Sequence, residues 1–323
     1  MGTGVISLGL SADGWRLPSL VFLVIAAVGY IELVLVEGRP VVLRPGSLRD
    51  SFSSLRGSLG AFTFAVGTLV LASRLVILGQ TALAVALFVV GGTAAVGCAY
   101  LVPANAMVRH FAAGRLGLGG GLWLLWPVAL DATSVAASSI SRVGQVAPGP
   151  LAVLAAATWT LGLVIYLPLL AALLGRVVLT DVRLRELGPS YWVTMGAAAL
   201  SCLAAANIAA NPATRAFVNP NLATTAAEVA LGMWFLATAL LPVVGGLSLA
   251  RTLSRSRLVG SPKELWLPVF PTGMYALASR TLGLTTHVVW LAQVGATAIW
   301  LAVAVFLIEV FRGVLLLLVP AES

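Results

Sequence analysis

The chain has 323 residues, of which 60% are hydrophobic and only 9% are charged, and its formal net charge is +8. Soluble globular proteins contain about 25% charged residues, so this chain has too little charge to cover a surface that faces water. The basic residues fall mostly in short segments between apolar runs, as the positive-inside rule describes for membrane proteins, and do not indicate nucleic-acid binding. We therefore predict an integral membrane protein that forms one polytopic helical domain over residues 1–323.

Apolar runs of about 20 residues, each long enough to span a bilayer, predict ten transmembrane helices. They cover residues 1–11, 17–36, 59–74, 82–102, 119–139, 151–174, 190–209, 222–247, 266–283 and 287–310. The first, MGTGVISLGLS, is about half the length of a span and lacks the basic flank and cleavage site of a signal peptide. We expect it to be a first helix that has lost its beginning.

The distribution of Lys and Arg predicts how these helices are oriented. The segments that follow helices 2, 4, 6 and 8 hold 13 basic residues, whereas those that follow the odd-numbered helices hold 5. These five are Arg16, Arg74, Arg142, Arg215 and Arg280. Because the more basic side of a membrane protein faces the cytoplasm, we expect both termini to be cytoplasmic and the five arginines to lie at the outer level.

The odd-numbered helices begin near residues 1, 59, 119, 190 and 264, a repeat of about 60 to 75 residues. Helix 3 ends in GTLVLASR and helix 9 in GMYALASR. Five copies of one helical hairpin with the same orientation suggest a ring around an axis along the membrane normal. The odd helices are rich in small residues, which let them pack closely or line a narrow path, and the candidates are Gly2, Gly4, Gly67, Gly196 and Gly273. The even helices, rich in Leu, Val and Trp, should face lipid.

Arg74 and Arg280 end the two matching helices and are candidates for the outer mouth of a pore. Positive charge near the axis would raise the local concentration of anions. The alternative is that both side chains are interfacial anchors that point to the lipid headgroups.

Helix 9 reads WLPVFPTGMYALASRTLG and carries two prolines close to its start. Pro268 and Pro271 free backbone carbonyls that lipid cannot satisfy, and a helix broken in this way is tolerated where it packs in protein or lines a wet cavity. We interpret it as a pore-lining helix in which Phe270 is an aromatic plug and Gly273 leaves room beside the ring. The alternative is a kinked core helix with a buried Phe.

Asp131 lies near the middle of helix 5, a few residues after Pro127. An ionisable residue at that depth is costly and marks a functional site by default. Desolvation favours the neutral acid, which would donate a hydrogen bond to an anion or carry a coupled proton. The alternative is a carboxyl that bonds to neighbouring hydroxyls and fixes helix packing. Since an ionised Asp would repel anions, we expect it to be protonated or off the axis.

Three motifs, MGTGVIS in helix 1, PSYWVTMGAAALS in helix 7 and FPTGMYALAS in helix 9, resemble the tellurite-resistance/dicarboxylate transporter family. That family includes bacterial TehA-type channels, plant guard-cell slow anion channels, and yeast malate and sulfite transporters. The resemblance covers nearly the whole chain. It implies ten helices in five hairpins, odd helices around a pore with an aromatic plug, and a homotrimer in which each protomer has its own pore. Phe270 matches the family's gating Phe.

The leading hypothesis is a channel or secondary transporter in the bacterial inner membrane for small anions such as tellurite, sulfite, chloride, nitrate or malate. No GxxxxGK[ST] loop is present, so transport would draw on gradients. A non-conducting structural partner, favoured by the short first helix, is one alternative. A membrane enzyme is another, but paired carboxylates, HExxH and Cys/His spacing are all missing. Cys98 and Cys202 lie inside apolar runs, so neither a metal site nor a cofactor is predicted.

Overall fold

A computed structural model describes residues 1–43, 55–106, 121–179, 188–253 and 266–318. Ten main helices follow one another: α1 Gly2–Ala12, α2 Arg16–Leu43, α3 Leu55–Ile77, α4 Thr81–Ala106, α5 Leu125–Val143, α6 Pro148–Leu179, α7 Trp192–Ala210, α8 Pro220–Leu253, α9 Val269–Thr285 and α10 Val289–Leu318. The 3-10 turns Gly121–Leu124 and Pro189–Tyr191 lead into α5 and α7, and the short helix Pro212–Phe217 follows α7. The predicted basic segments after the even helices lie largely outside the described residues.

Eight of the described helices are long and apolar enough to cross a membrane. The prediction of an all-helical, multi-pass membrane protein is therefore confirmed. α1 has 11 residues and α9 has 17, so both fall short of the usual length of a span. A total of ten spans remains a prediction.

Burial separates the helices into an inner and an outer set. Within an apolar stretch of 18 residues in each span, 89% and 94% of the residues are buried in the segments that contain α5 and α7, and 56% in α3. In α2, α4, α6, α8 and α10 the share is between 17% and 33%. The outer set exposes Leu, Val and Ile side chains in large numbers, as a surface in contact with lipid requires. The more exposed helices are thus the even-numbered ones, and their contact with lipid remains a prediction.

Each odd helix packs along the even helix that follows it, which produces five hairpins in the described residues. Each odd helix also contacts the next odd helix, and α1 contacts both α3 and α9. Glycine permits the closest of these approaches. A Cβ on Gly283 of α9 would collide with the backbone of Ala292 in α10, and one on Gly295 of α10 would collide with the backbone of Arg280.

The prolines of the inner helices begin those helices and do not break them, so the predicted interruption of helix 9 is wrong. Pro268 is the N-cap of α9 and Pro271 its third residue, while Pro127 is the third residue of α5. In the first turn a backbone N–H has no partner within the helix, so proline costs nothing there. The backbone carbonyl of Pro268 is not left without a partner, because it accepts hydrogen bonds from the backbone N–H and the side-chain hydroxyl of Thr272. The prolines inside helices belong to the outer set: Pro103, Pro168 and Pro242.

Candidate functional site

A small apolar cavity lies where α1, α3, α5, α7 and α9 meet, and all five helices contribute to its wall. Its lining consists of Val5, Leu8, Val66, Leu69, Val70, Ser73, Ala132, Val135, Leu200, Leu203, Phe270, Met274 and Leu277. The cavity volume is about 10 Å³, close to the minimum that holds one water molecule. The inner helices therefore converge on a very small space that is almost free of polar groups.

Phe270 lines this cavity from the first turn of α9 and is 7% exposed. Two glycines from neighbouring helices hold the backbone on either side of it. A Cβ on Gly2 of α1 would lie 2.8 Å from a methyl carbon of Val269, and one on Gly196 of α7 would lie 3.0 Å from the ring of Pro271. Because α1 and α7 approach so closely, the first turn of α9 is tightly packed between them. This packing fixes the position of the Phe270 backbone, from which the ring extends into the cavity.

The predicted glycines serve helix packing, and none of the five is among the described residues that line the cavity. A Cβ on Gly4 would lie 2.8 Å from Val70 of α3, and one on Gly273 would lie 3.2 Å from Val5 of α1. Gly67 has more room, since its Cβ would meet only Met1, at 3.6 Å. Of the two uses that the sequence left open for small residues, close packing accounts for four of these positions.

Asp131 is 1% exposed and lies away from the cavity, although Ala132 and Val135 of the same helix line it. Its carboxyl faces Gly162 of α6, where a Cβ would come within 2.6 Å of Oδ1. The hydroxyl of Ser201 in α7 is within electrostatic reach, but neither group makes a hydrogen bond. The carboxyl thus occupies the seam between α5, α6 and α7, behind the wall of the cavity.

Arg74 is buried, with 3% of its surface exposed, and its partners come from α1 and α2. Its Nε donates to Ser7 Oγ at 3.0 Å and its Nη2 donates to Ser19 Oγ at 2.8 Å. The Nη1 atom is buried and has no hydrogen-bond partner. The Arg74 side chain therefore faces neither the open mouth of a pore nor the lipid headgroups. It is a cation enclosed between α1, α2 and α3.

Arg280 ends the matching segment of α9 and forms an ion pair with Asp13, which follows the last residue of α1. The Nε–Oδ1 distance is 2.6 Å, and the two side chains are 25% and 7% exposed. Burial raises the pKa of the Asp13 carboxyl above its ordinary value, and the attraction of Arg280 acts in the opposite direction. Most of the positive charge of Arg280 is thus offset within the protein.

The remaining arginines that were predicted to lie at the outer level, Arg16, Arg142 and Arg215, are exposed. The partners of the two enclosed arginines were not predicted from the sequence. One signal was available for Asp13, because it is among only 11 acidic residues and lies in the short outer connection between helices 1 and 2. Ser7 gave no such signal, since serine is common in the inner helices, and neither did Ser19 of α2.

Two kinds of similarity to known proteins bear on this arrangement. A family model described as "SLAC1: Voltage-dependent anion channel" matches residues 1–314. Two relatives from Mycobacterium tuberculosis are each 32% identical over 147 residues, which is 45% of this chain and 72% of the relative. They are "Uncharacterized membrane protein MT1776" of strain CDC 1551 / Oshkosh and "Uncharacterized membrane protein Rv1735c" of strain ATCC 25618 / H37Rv.

Proposed function

The chain belongs to the SLAC1 family of voltage-dependent anion channels, and on that premise we propose that it forms a pore for small anions that Phe270 gates. Members of this family are membrane channels or transporters and not enzymes. The location of Phe270 in a cavity to which α1, α3, α5, α7 and α9 all contribute carries the proposal. In this proposal, the cavity is the closed centre of the pore.

The contacts between odd helices support a ring around that centre. α1 contacts α3 and α9, α3 contacts α5, α5 contacts α7, and α7 contacts α9, so the series of neighbours returns to its start. The hairpin partners then form the outer layer. The proposal therefore keeps the quasi-fivefold ring that the repeat suggested.

The gate acts through size and through hydration. The Phe270 ring narrows a space of about 10 Å³ whose lining is almost wholly apolar. An ion that enters must give up water without receiving polar contacts in return, so a narrow apolar constriction blocks conduction without any charged gate. Displacing one ring would relieve both the steric and the hydration barrier.

The transported species in this proposal is a small anion, in the range from chloride, nitrate, sulfite and tellurite to a C4-dicarboxylate such as malate. The outer helices expose apolar side chains to the bilayer. We place the protein in a bacterial inner membrane with both termini in the cytoplasm, as a homotrimer whose protomers each have a pore. The excess of basic residues after the even helices supports that orientation.

Flux in proteoliposomes tests the gate. We expect Phe270→Ala to increase anion flux at least about tenfold, the factor that corresponds to about 1.4 kcal/mol of barrier, and Phe270→Leu to change it less. The measurement covers a panel of anions with and without a pH gradient, which separates passive from proton-coupled transport.

Phe62→Ala is the matched control, because Phe62 is a fully buried Phe of α3 that does not line the cavity. It should lower stability by about 3–5 kcal/mol without raising flux per folded protein. A folded Phe270→Ala protein with unchanged flux would refute the gate. Absence of anion flux from every variant would instead favour a non-conducting structural partner.

A further inference from the structure

The geometry around Arg74 points to an anion-binding site that the gate does not explain. We propose that Arg74, oriented by Ser7 and Ser19, binds a single small inorganic anion, a halide or a compact oxoanion, at its free Nη1 edge. This inference rests on the proposed function, and it assigns a place in the protein where the anion is held.

Ser7 and Ser19 form a pair that turns both oxygen lone pairs toward the guanidinium. The hydroxyl of Ser7 donates to the backbone carbonyl of Ser19 at 2.8 Å, and the hydroxyl of Ser19 donates to the carbonyl of Ser7 at 2.7 Å. With their protons used in this way, both oxygens are left to accept from Arg74. The guanidinium is planar and rigid, so fixing Nε and Nη2 also fixes the direction in which Nη1 offers its two protons.

The charge of Arg74 has no counter-charge among the described residues. Asp13 is paired with Arg280, Glu309 with Arg312, and Asp131 faces α6 and α7. Among the other carboxylates whose side chains the structure describes, Glu32 and Glu228 are exposed. Arginine does not deprotonate in proteins, and an enclosed charge without a partner is strongly unfavourable. A bound anion supplies the negative charge that the described residues do not place beside Arg74.

The site borders the proposed conduction path. Val70 and Ser73 of α3 line the central cavity, as do Val5 and Leu8 of α1. Arg74 follows Ser73 directly, and Ser7 precedes Leu8. The guanidinium therefore lies at the seam between α1, α2 and α3, and both Arg74 and Ser7 are one residue along the chain from the lining of the cavity.

The burial of Nη1 limits which anions fit. That nitrogen has essentially no exposed surface, so a ligand must enter a space made by small shifts of neighbouring side chains. A chloride or nitrate ion needs little room, and nitrate offers two oxygens to the planar fork of an arginine. An extended dicarboxylate would require α1 and α3 to separate.

Anion-dependent thermal stability of the purified protein in detergent tests the site without relying on transport. Tm is measured at constant ionic strength while sodium gluconate is replaced by sodium chloride or nitrate. A ligand that binds only the folded state raises Tm in a saturable way, and we expect this for the wild type. Arg74→Met should lose the saturable rise, and Arg74→Lys should weaken the apparent affinity at least tenfold while keeping the charge.

Arg215→Met is the matched control, because Arg215 is exposed and should leave the rise unchanged. If the wild type shows no saturable rise, or if Arg74→Met and Arg74→Lys both keep it in full, the site is refuted whatever the flux. The two proposals fail separately. Flux without a rise preserves the pore and removes the site, whereas a rise without flux preserves the site and removes the pore.

Discussion

The C-terminal parts of α3 and α9 have nearly the same sequence, GTLVLASR and GMYALASR, but their arginines have different partners. The serines behave alike, since Ser73 donates to the carbonyl of Leu69 at 3.0 Å and Ser279 to that of Tyr275 at 2.7 Å. Arg74, by contrast, is enclosed and held by neutral hydroxyls, whereas Arg280 is partly exposed and held by a carboxylate.

The difference comes from α1, which lies between the two helices. It offers the hydroxyl of Ser7 toward α3 and the carboxylate of Asp13 toward α9. A repeated motif therefore specifies the end of a helix, and the neighbouring helix decides whether its charge is neutralised. One arginine remains able to hold an anion, and the other is committed to closing the outer end of α1 onto α9.

Removing the hydroxyls around Arg74 should have the largest effect. In Ser7→Ala/Ser19→Ala the guanidinium keeps its charge but loses both partners, and an uncompensated buried charge costs about 3–5 kcal/mol. Denaturation in detergent with gluconate as the only anion measures this loss. Adding Arg74→Met to the double variant should restore most of the stability, because the charge is then gone. Failure of that rescue would mean that the serines act through packing and not through the arginine.

Removing Arg280 should change how stability depends on pH. Because the pKa of Asp13 is raised in the folded protein, the unfolded state releases this proton first, and stability falls as pH rises from the ordinary value of 3.8 toward the raised one. Arg280→Met removes the attraction that opposes the shift, so the decline should extend to higher pH. Each further unit of pKa difference deepens it by about 1.4 kcal/mol.

Tm measured from pH 4 to pH 8 follows the decline predicted for Arg280→Met. The control is Asp13→Asn/Arg280→Met, which has no carboxyl at this position and should lack the decline. Equal pH profiles for the single and double variants would contradict the assignment to Asp13.

Asp13→Asn alone should have the smallest effect, a change of within about 1 kcal/mol at neutral pH. The raised pKa of Asp13 means that burial outweighs the attraction of Arg280, so a neutral amide of the same shape loses little. Chemical denaturation at two salt concentrations measures it. A loss as large as that from the paired serine variant would remove the contrast between the two arginines.

The sequence was sufficient to predict those helices whose positions follow from the length of an apolar run. Predicted helix 1 over residues 1–11 lies within one residue of α1 Gly2–Ala12, and predicted helix 7 over 190–209 overlaps α7 Trp192–Ala210 almost fully. Hydrophobic length alone determines such segments. Predicted helix 5 began too early because the apolar stretch at Gly121–Leu124 forms a 3-10 turn, and apolar character does not distinguish that turn from a helix.

The partners within the site could not be predicted in the same way. Ser7 and Arg74 are 67 residues apart in the chain. A single sequence indicates on which face of its helix a residue lies, but it does not indicate which other helix packs against that face. The prolines were misjudged for a related reason. Whether proline breaks a helix or starts one depends on where the first turn begins, and a continuous apolar run hides that boundary.

The unequal lengths of the helices have a consequence for access to Phe270. α5 has 19 residues and α7 also has 19, whereas their partners α6 and α8 have 32 and 34. At 1.5 Å per residue the inner pair is about 29 Å long, close to the hydrocarbon thickness of about 30 Å, and the outer pair is about 48–51 Å long.

The hairpin turns between inner and outer helices are short, so the surplus length of the outer helices extends from the side on which the inner helices begin. Phe270, in the first turn of α9, lies on that same side, so in the proposed pore the outer helices extend past the level of the gate. In the proposed pore, an ion that approaches from that side would pass between the far ends of the outer helices before it reached Phe270.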